Sequence, residues 1–190
     1  MRFGFLGLGR AARLYHLPAV RQVAGAVAVG GADAAAQQRG EWERTSGMRT
    51  YATLAELLDR EHPDVVIVAT PPDLHAEGCL EALAAGTHVI CEKPFAPTVA
   101  DADRVIAAAQ AARKQVAVNH QFREMPIIRA LRDTIAAGRE GRLAFCQVWQ
   151  LMNLAPWDEP TPWRAGMARR TLLEGGVHLV DLLITLFGEA

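Results

Sequence analysis

The sequence predicts an α/β protein built on a doubly wound parallel sheet, followed by a piece of a second domain. Three observations carry this. Short β-branched apolar runs alternate with helical stretches over residues 1–120, the pattern of parallel strands joined by crossover helices. The runs are continuously apolar rather than alternating, as strands covered on both faces are. Near Gly141 the rhythm changes, and 190 residues exceed the usual ~100–150 of one domain without reaching two. The boundary falls between 122 and 123, giving units 1–122 and 123–190.

The predicted strands are RFGFLG (2–7), AVAVGG (26–31), DVVIVAT (64–70), THVICE (87–92) and QVAVNH (115–120), with a weaker one at RTY (49–51). Helices fall between them at 13–23, 34–45, 53–61, 74–86 and 100–114. Thr98, three residues before Asp101, resembles a capping box, and Gly86 stands where a helix C-terminal glycine belongs. Beyond Gly141, RLAFCQVWQLM (142–152) reads as a strand and NLAPWDEPTPWRAG (153–166) as a proline-rich loop. A last helix runs from 172 to 187. It is apolar almost all round and should be buried, yet no predicted sheet remains to bury it.

Composition narrows the function classes. With 51% hydrophobic residues, 22% charged and a net charge of −1, the chain fits a soluble globular protein without the positive patch of a nucleic-acid binder. No apolar run approaches the ~18 residues that span a bilayer, and the apolar N-terminus is too short for a signal peptide. Cys79, Cys91 and Cys146 form no CxxC pair, so neither disulfides nor a metal site are signalled and a reducing cytoplasm is the default.

GLGRAA places Gly7, Gly9, Arg10, Ala11 and Ala12 between the first strand and the first helix. Glycine allows the tight turn and close approach of a pyrophosphate, a small third residue lets helix and strand pack, and the helix N-terminus offers amides to the anion. This points to a dinucleotide; the alternative is a tight turn that binds nothing. Asp33 follows the second strand, 21 residues after Ala12, where a carboxylate accepts from ribose hydroxyls and repels a 2′-phosphate. NAD is therefore expected over NADP. Asp33 also suits an N-cap for the helix beginning near Ala34.

ATPPDLH brings Thr70, Pro71 and His75 to the carboxyl edge of the sheet, where ligands of open α/β folds bind; His75 reads equally as a helix-start residue. CEKP brings Glu92 and Lys93 to the same edge. Of twenty Lys and Arg residues only Lys93 and Lys114 are lysine, and a flexible ammonium with an adjustable pKa suits the place where cofactor and substrate meet. Pro94 follows, and sequence does not reveal whether its bond is cis. On the last helix Glu174, His178 and Asp181 are spaced by four and three, hence on one face. They suggest either a shared polar site or a structural network.

Taken together, GLGRAA, ATPPDLH, CEKPFAPT, NHQFRE and LLEGGVHLVDLLITLFG resemble the Gfo/Idh/MocA oxidoreductase family, in the family's order and over essentially the whole chain. The resemblance implies a nicotinamide-binding Rossmann domain, then an α/β domain whose open sheet forms the substrate site and often an oligomer face. It implies hydride transfer between nicotinamide and a secondary alcohol of a sugar or cyclitol. Lys93 stands as the active-site lysine of the EKP motif and His178 as the histidine of the substrate-domain helix. Glu174 falls where many members carry aspartate, keeping a carboxylate but lengthening it. Family chains run on well past this helix, so the second α/β domain is expected to be incomplete. The alternatives are a non-catalytic NAD-binding or interaction protein, and a fragment of a longer dehydrogenase. The uncovered helix and strand lead us to expect a homo-oligomer joined through residues after Arg142.

Overall fold

The computed structural model describes residues 1–138, 141, 144–151, 153, 164, 166 and 169–188. By their contacts they form two compact units, Met1–Asn119 and His120–Ala190.

In the first unit, β1 (Arg2–Leu6), β2 (Val27–Ala32), β3 (Thr50–Tyr51), β4 (Val65–Val68), β5 (His88–Cys91) and β6 (Val116–Val118) form one sheet in the order β3-β2-β1-β4-β5-β6. Every pairing is parallel. Strand order reverses between β1 and β4, the switch point at whose carboxyl edge a crevice opens. The helices are α1 (Leu17–Gln22), entered through a π-helical segment Ala12–His16, then α2 (Ala36–Ser46), α3 (Leu54–Glu61), α4 (His75–Ala84) and α5 (Val99–Ala112).

Each boundary has a local cause. Thr53 and Glu56 close a reciprocal capping box on α3, and Thr98 caps α5 by accepting from the Asp101 amide. Gly86, at φ +79°, follows α4. All four residues of β4 are buried, as an inner strand covered on both faces must be. One core cluster lies around Val66, Leu57, Leu83 and Val105, and another around Phe5, Leu8, Trp42 and Ile67.

In the second unit, a short 3-10 turn Gln121–Glu124 leads into α6 (Pro126–Ala136), and a π-helical segment Leu172–Gly176 leads into α7 (Val177–Phe187). Three expectations change here. Helix α6 is an addition: Pro126 at its start and Ile127, Ile128, Leu131 and Ile135 along one stripe mark it, and none of its residues is buried. Ala144–Leu151 carries no strand, because among the described residues nothing pairs with it, and Phe145, Trp149 and Leu151 are exposed. The ends of that expected strand at 142, 143 and 152, and most of the expected loop 153–166, lie outside the described residues. Helix α7 is only partly covered: His178, Asp181 and Leu182 are buried, while Val180, Ile184 and Phe187 stay exposed, since the described neighbours pack on one face.

Candidate functional site

The glycine turn joins three strand ends. Gly7 has φ +85°, and a Cβ there would lie 2.7 Å from the carbonyl of Ala69 and the amide of Thr70, so both conformation and space demand glycine. Its amide donates to the Ala32 carbonyl at 2.8 Å. Leu8, fully buried, donates its amide to Asp33 Oδ2 at 2.9 Å. Gly9 differs: a Cβ added there meets nothing within 4 Å, so the fold itself makes no demand for glycine at this position. The turn leaves an open cradle on that side. Arg10 and Ala11 begin the helix, and Ala12, fully buried, supplies the small residue that lets helix and sheet close.

Asp33 lies directly after β2. Its Oδ1 accepts from the Ala35 amide at 2.8 Å, so the carboxylate spans the glycine turn and the approach to α2. The N-cap of α2 is Ala35, without a side-chain cap; Asp33 sits two residues ahead and closes a turn instead. Arg39, which sequence spacing did not single out, folds its guanidinium back onto the carbonyls of Asp33 and Ala34 at 2.8 and 3.0 Å. A cation thus stands beside Asp33.

At the carboxyl ends of β4 and β5 the side chains of His75 and Glu92 lie beneath the loops. The His75 ring is 1% exposed, with Nδ1 2.8 Å from the Pro94 carbonyl and Nε2 2.9 Å from the Thr70 carbonyl. Glu92 Oε1 is 2.7 Å from His16 Nε2 and accepts from Asn119 Nδ2 at 2.8 Å, while Oε2 accepts from the Lys93 amide at 3.1 Å. Burial opposes ionisation of Glu92, but the hydrogen bond and charge of His16, the Asn119 amide and the Lys93 charge outweigh it and hold the carboxyl below its usual range. The Lys93–Pro94 bond is cis.

Sequence reasoning passed over His16 and Asn119. The signal for His16 was its place between Ala12 and Val20 on the buried stripe of the first helix, where a polar side chain needs a partner.

In the second unit, the row Glu174, His178, Asp181 is divided among different partners. Glu174 Oε2 accepts from Arg164 Nε at 2.9 Å. Asp181, 6% exposed, receives Arg123 in a two-pronged grip, with Nε 2.8 and 2.7 Å from its two oxygens, and His120 Nδ1 lies 3.8 Å from Oδ1. Asp181 holds Arg123 in its charged form, chiefly through those hydrogen bonds. His178, also buried, stacks on Phe122 with centroids 4.2 Å apart and meets His120 edge-on at 6.2 Å. The NHQFRE segment therefore supplies the packing and charge around that helix. Among the described residues, no group of three His, Cys, Asp or Glu is placed to hold a metal ion, and no helix is long and apolar enough to cross a membrane.

Residues 1–120 match the Gfo/Idh/MocA oxidoreductase family, NAD-binding Rossmann fold. The chain belongs to this family. A 1,5-anhydro-D-fructose reductase from Ensifer adhaerens is 33% identical over 96% of this chain and 55% of its own length. A D-apiose dehydrogenase from Paraburkholderia graminis is 33% identical over 92% and 46%. Among solved structures, the WlbA dehydrogenase from Bordetella pertussis, in complex with NADH and UDP-GlcNAcA, superposes with a TM-score of 0.83 at 26% identity, covering 99% of this chain and 55% of that one. The chain thus spans about half the length of these relatives.

Proposed function

We propose that this Gfo/Idh/MocA chain binds NAD in the glycine turn and takes part in hydride transfer between NAD and a secondary alcohol of a sugar or cyclitol. The observation that carries the reading is the cradle at Gly9, a glycine whose missing side chain the protein does not use, set at the switch point and beside Asp33. It fits a pyrophosphate approaching the backbone at a helix N-terminus. The bound nicotinamide would supply the hydride acceptor. Two relatives named for sugar substrates, and a third complexed with NADH and a nucleotide sugar, support the substrate class.

The chain's own residues then have separate tasks. Gly7, Gly9, Arg10, Ala11 and Ala12 hold the phosphates, and Asp33 offers its oxygens to ribose hydroxyls. Thr70 and Pro71 form the loop at the crevice edge. Lys93 donates a hydrogen bond to the substrate oxygen and stabilises its growing negative charge, while His178 accepts the hydroxyl proton; such acid–base help contributes ~100-fold to 10,000-fold. The Phe122 stack fixes the His178 ring plane. Glu174 and Arg164 form an ion pair on the segment leading into the same helix, so Glu174 acts on the orientation of that helix.

NADH titration followed by nicotinamide fluorescence, with turnover assays on sugars and polyols, tests this directly. Failure to bind NADH would reject the site. Binding without turnover would support the second reading, a cofactor-binding piece completed by further chain, which the half-length match favours. We also propose self-association through residues after Arg142, supported by the exposure of Phe145 and Trp149 at 81% and 76%, and a cytoplasmic location, in keeping with three free thiols.

A further inference from the structure

We propose that His75 is a positioning residue for Lys93: a clasp between the β4 loop and the Lys93–Pro94 turn that gains its second hydrogen bond when the ring is protonated. The proposal rests on the reading of Lys93 as the group that meets the substrate oxygen.

The geometry begins with two acceptors. Both neighbours of the ring nitrogens are carbonyl oxygens, Pro94 at 2.8 Å from Nδ1 and Thr70 at 2.9 Å from Nε2. A carbonyl oxygen accepts and never donates. Neutral imidazole has one N–H, so it satisfies one carbonyl and turns a lone pair toward the other; imidazolium has two and satisfies both. At 1% exposure no bulk water stands in for the missing bond.

The two carbonyls belong to loops that end the adjacent strands β4 and β5, and Pro94 is the next residue after Lys93. The ring therefore sets the distance between the Thr70 loop and the segment that carries the ammonium. The usual reason for a histidine at a helix start, capping, does not apply, because α4 has no side-chain cap.

Surroundings set the pH at which the clasp completes. Burial favours the neutral ring most and lowers the pKa below its ordinary value; the two carbonyls and the charge of Glu92 oppose this, and the charge of Lys93 adds to it. Cys91 of β5, in the core cluster shared with Ala76, brings no charge, since its hydrogen bond with Cys79 and burial push its thiol far up. The sign follows from a depressed folded-state pKa. Above the ordinary imidazole range the ring is neutral and makes one bond; as pH falls through the depressed value it gains the second, at a cost in global stability from the buried charge.

Lys93 and Lys114 are the only lysines, so reductive methylation with isotope-labelled formaldehyde gives three dimethylamine signals: one from the proposed site, one from Lys114 as internal reference, and one from the Met1 α-amino group, which is told apart by its lower ordinary pKa. In the wild-type chain, ring-nitrogen spectra should show His75 passing from one N–H to two below the ordinary imidazole pKa. The dimethyl-Lys93 signal should shift in step while dimethyl-Lys114 stays put. His75→Gln keeps an N–H donor that does not titrate, so Lys93 should hold its chemical shift and lose the pH step. His75→Leu should move Lys93 toward the shift of freely solvated dimethyllysine, again with Lys114 unchanged.

The proposal is overturned by an unmoved Lys93 signal in His75→Leu, by a pH step that survives in His75→Gln, or by a ring that keeps one N–H until the chain unfolds. Should the variants misfold, shown by a displaced Lys114 signal, the wild-type titration alone decides. None of these readouts needs turnover. Loss of activity in Lys93→Met tests the chemical role of Lys93 separately, so the two ideas fail in distinguishable ways.

Discussion

Gly7→Ala and Gly9→Ala, made side by side, separate what the fold asks of the glycine turn from what a ligand asks. At Gly7 the backbone is left-handed and the added methyl would sit 2.7 Å from the Ala69 carbonyl and the Thr70 amide. The conformation costs an L-residue about 1–2 kcal/mol and the forced overpacking about 1–3 kcal/mol, so unfolding free energy should drop by roughly 2–5 kcal/mol. At Gly9 the methyl meets nothing within 4 Å. Its only effect on stability is the smaller entropy of the unfolded chain, worth about 0.4–1 kcal/mol in favour of folding. Affinity should run the other way at Gly9, because the methyl occupies the cradle where a pyrophosphate would approach. NADH binding there should weaken at least ~10-fold, or about 1.4 kcal/mol. Urea unfolding followed by far-ultraviolet circular dichroism reads the first quantity and fluorescence titration with NADH the second. A Gly9→Ala chain that binds NADH like wild type would refute the assignment of the cradle, and a Gly7→Ala chain of unchanged stability would refute the packing argument.

Glu92→Gln removes the carboxylate to which His16 and Asn119 are hydrogen-bonded, and losing hydrogen bonds to a charged group costs about 1.5–3 kcal/mol. Because the Glu92 carboxyl lies below its usual range, its stabilisation is complete above the ordinary carboxylate pKa and lost as pH falls through the depressed one; acid unfolding curves should show a shallower acid limb in the variant. Asp33→Ser should weaken NADH binding and narrow the preference over NADPH, with Arg39 already at hand for a 2′-phosphate; an unchanged ratio in paired titrations would remove the specificity role of Asp33. Lys93→Met should lower turnover of the active chain, or of its complex with a completing polypeptide, by at least ~100-fold while NADH affinity stays within a few-fold. Light scattering on Phe145→Ser/Trp149→Ser should report a smaller assembly than wild type, since burying each such side chain is worth about 1.5–3 kcal/mol.

The Rossmann half of the molecule was legible because its signals are local. Short β-branched continuous runs such as VVIV in β4, bounded by turn residues, read as inner strands, and the glycine turn announces both a conformation and a ligand. Even the two-residue edge strand at Thr50–Tyr51 left a trace in its β-prone residues. The second half was harder because its partners are remote in sequence. Asp181 is gripped by Arg123, 58 positions away, and no periodicity reveals such a pairing; hence the row Glu174, His178, Asp181 reads from sequence as either a shared site or a structural network, while Glu174 and Asp181 answer to different arginines. His75 shows a third case. Its position at the crevice edge was readable, but which way its ring turns depends on the carbonyls of Thr70 and Pro94, groups that every residue carries and that leave no mark in a sequence.

Two helices, α1 and α7, are each entered through a π-helical segment, Ala12–His16 and Leu172–Gly176. A π-turn spends one residue more than an α-turn, and one residue is about 100° of helical phase. The stretch before each such joint and the stretch after it are therefore phased independently. Ahead of the first joint Arg10 and Ala11 open the helix directly after the glycine turn; behind it, Leu17 and Val20 are buried in the core. Removing a single residue from 12–16 would restore a regular helix, and one of those two alignments would have to yield by about a quarter-turn. The joint lets the glycine-turn end of the helix be retuned without repacking the remainder, and the same freedom is available on the approach to His178.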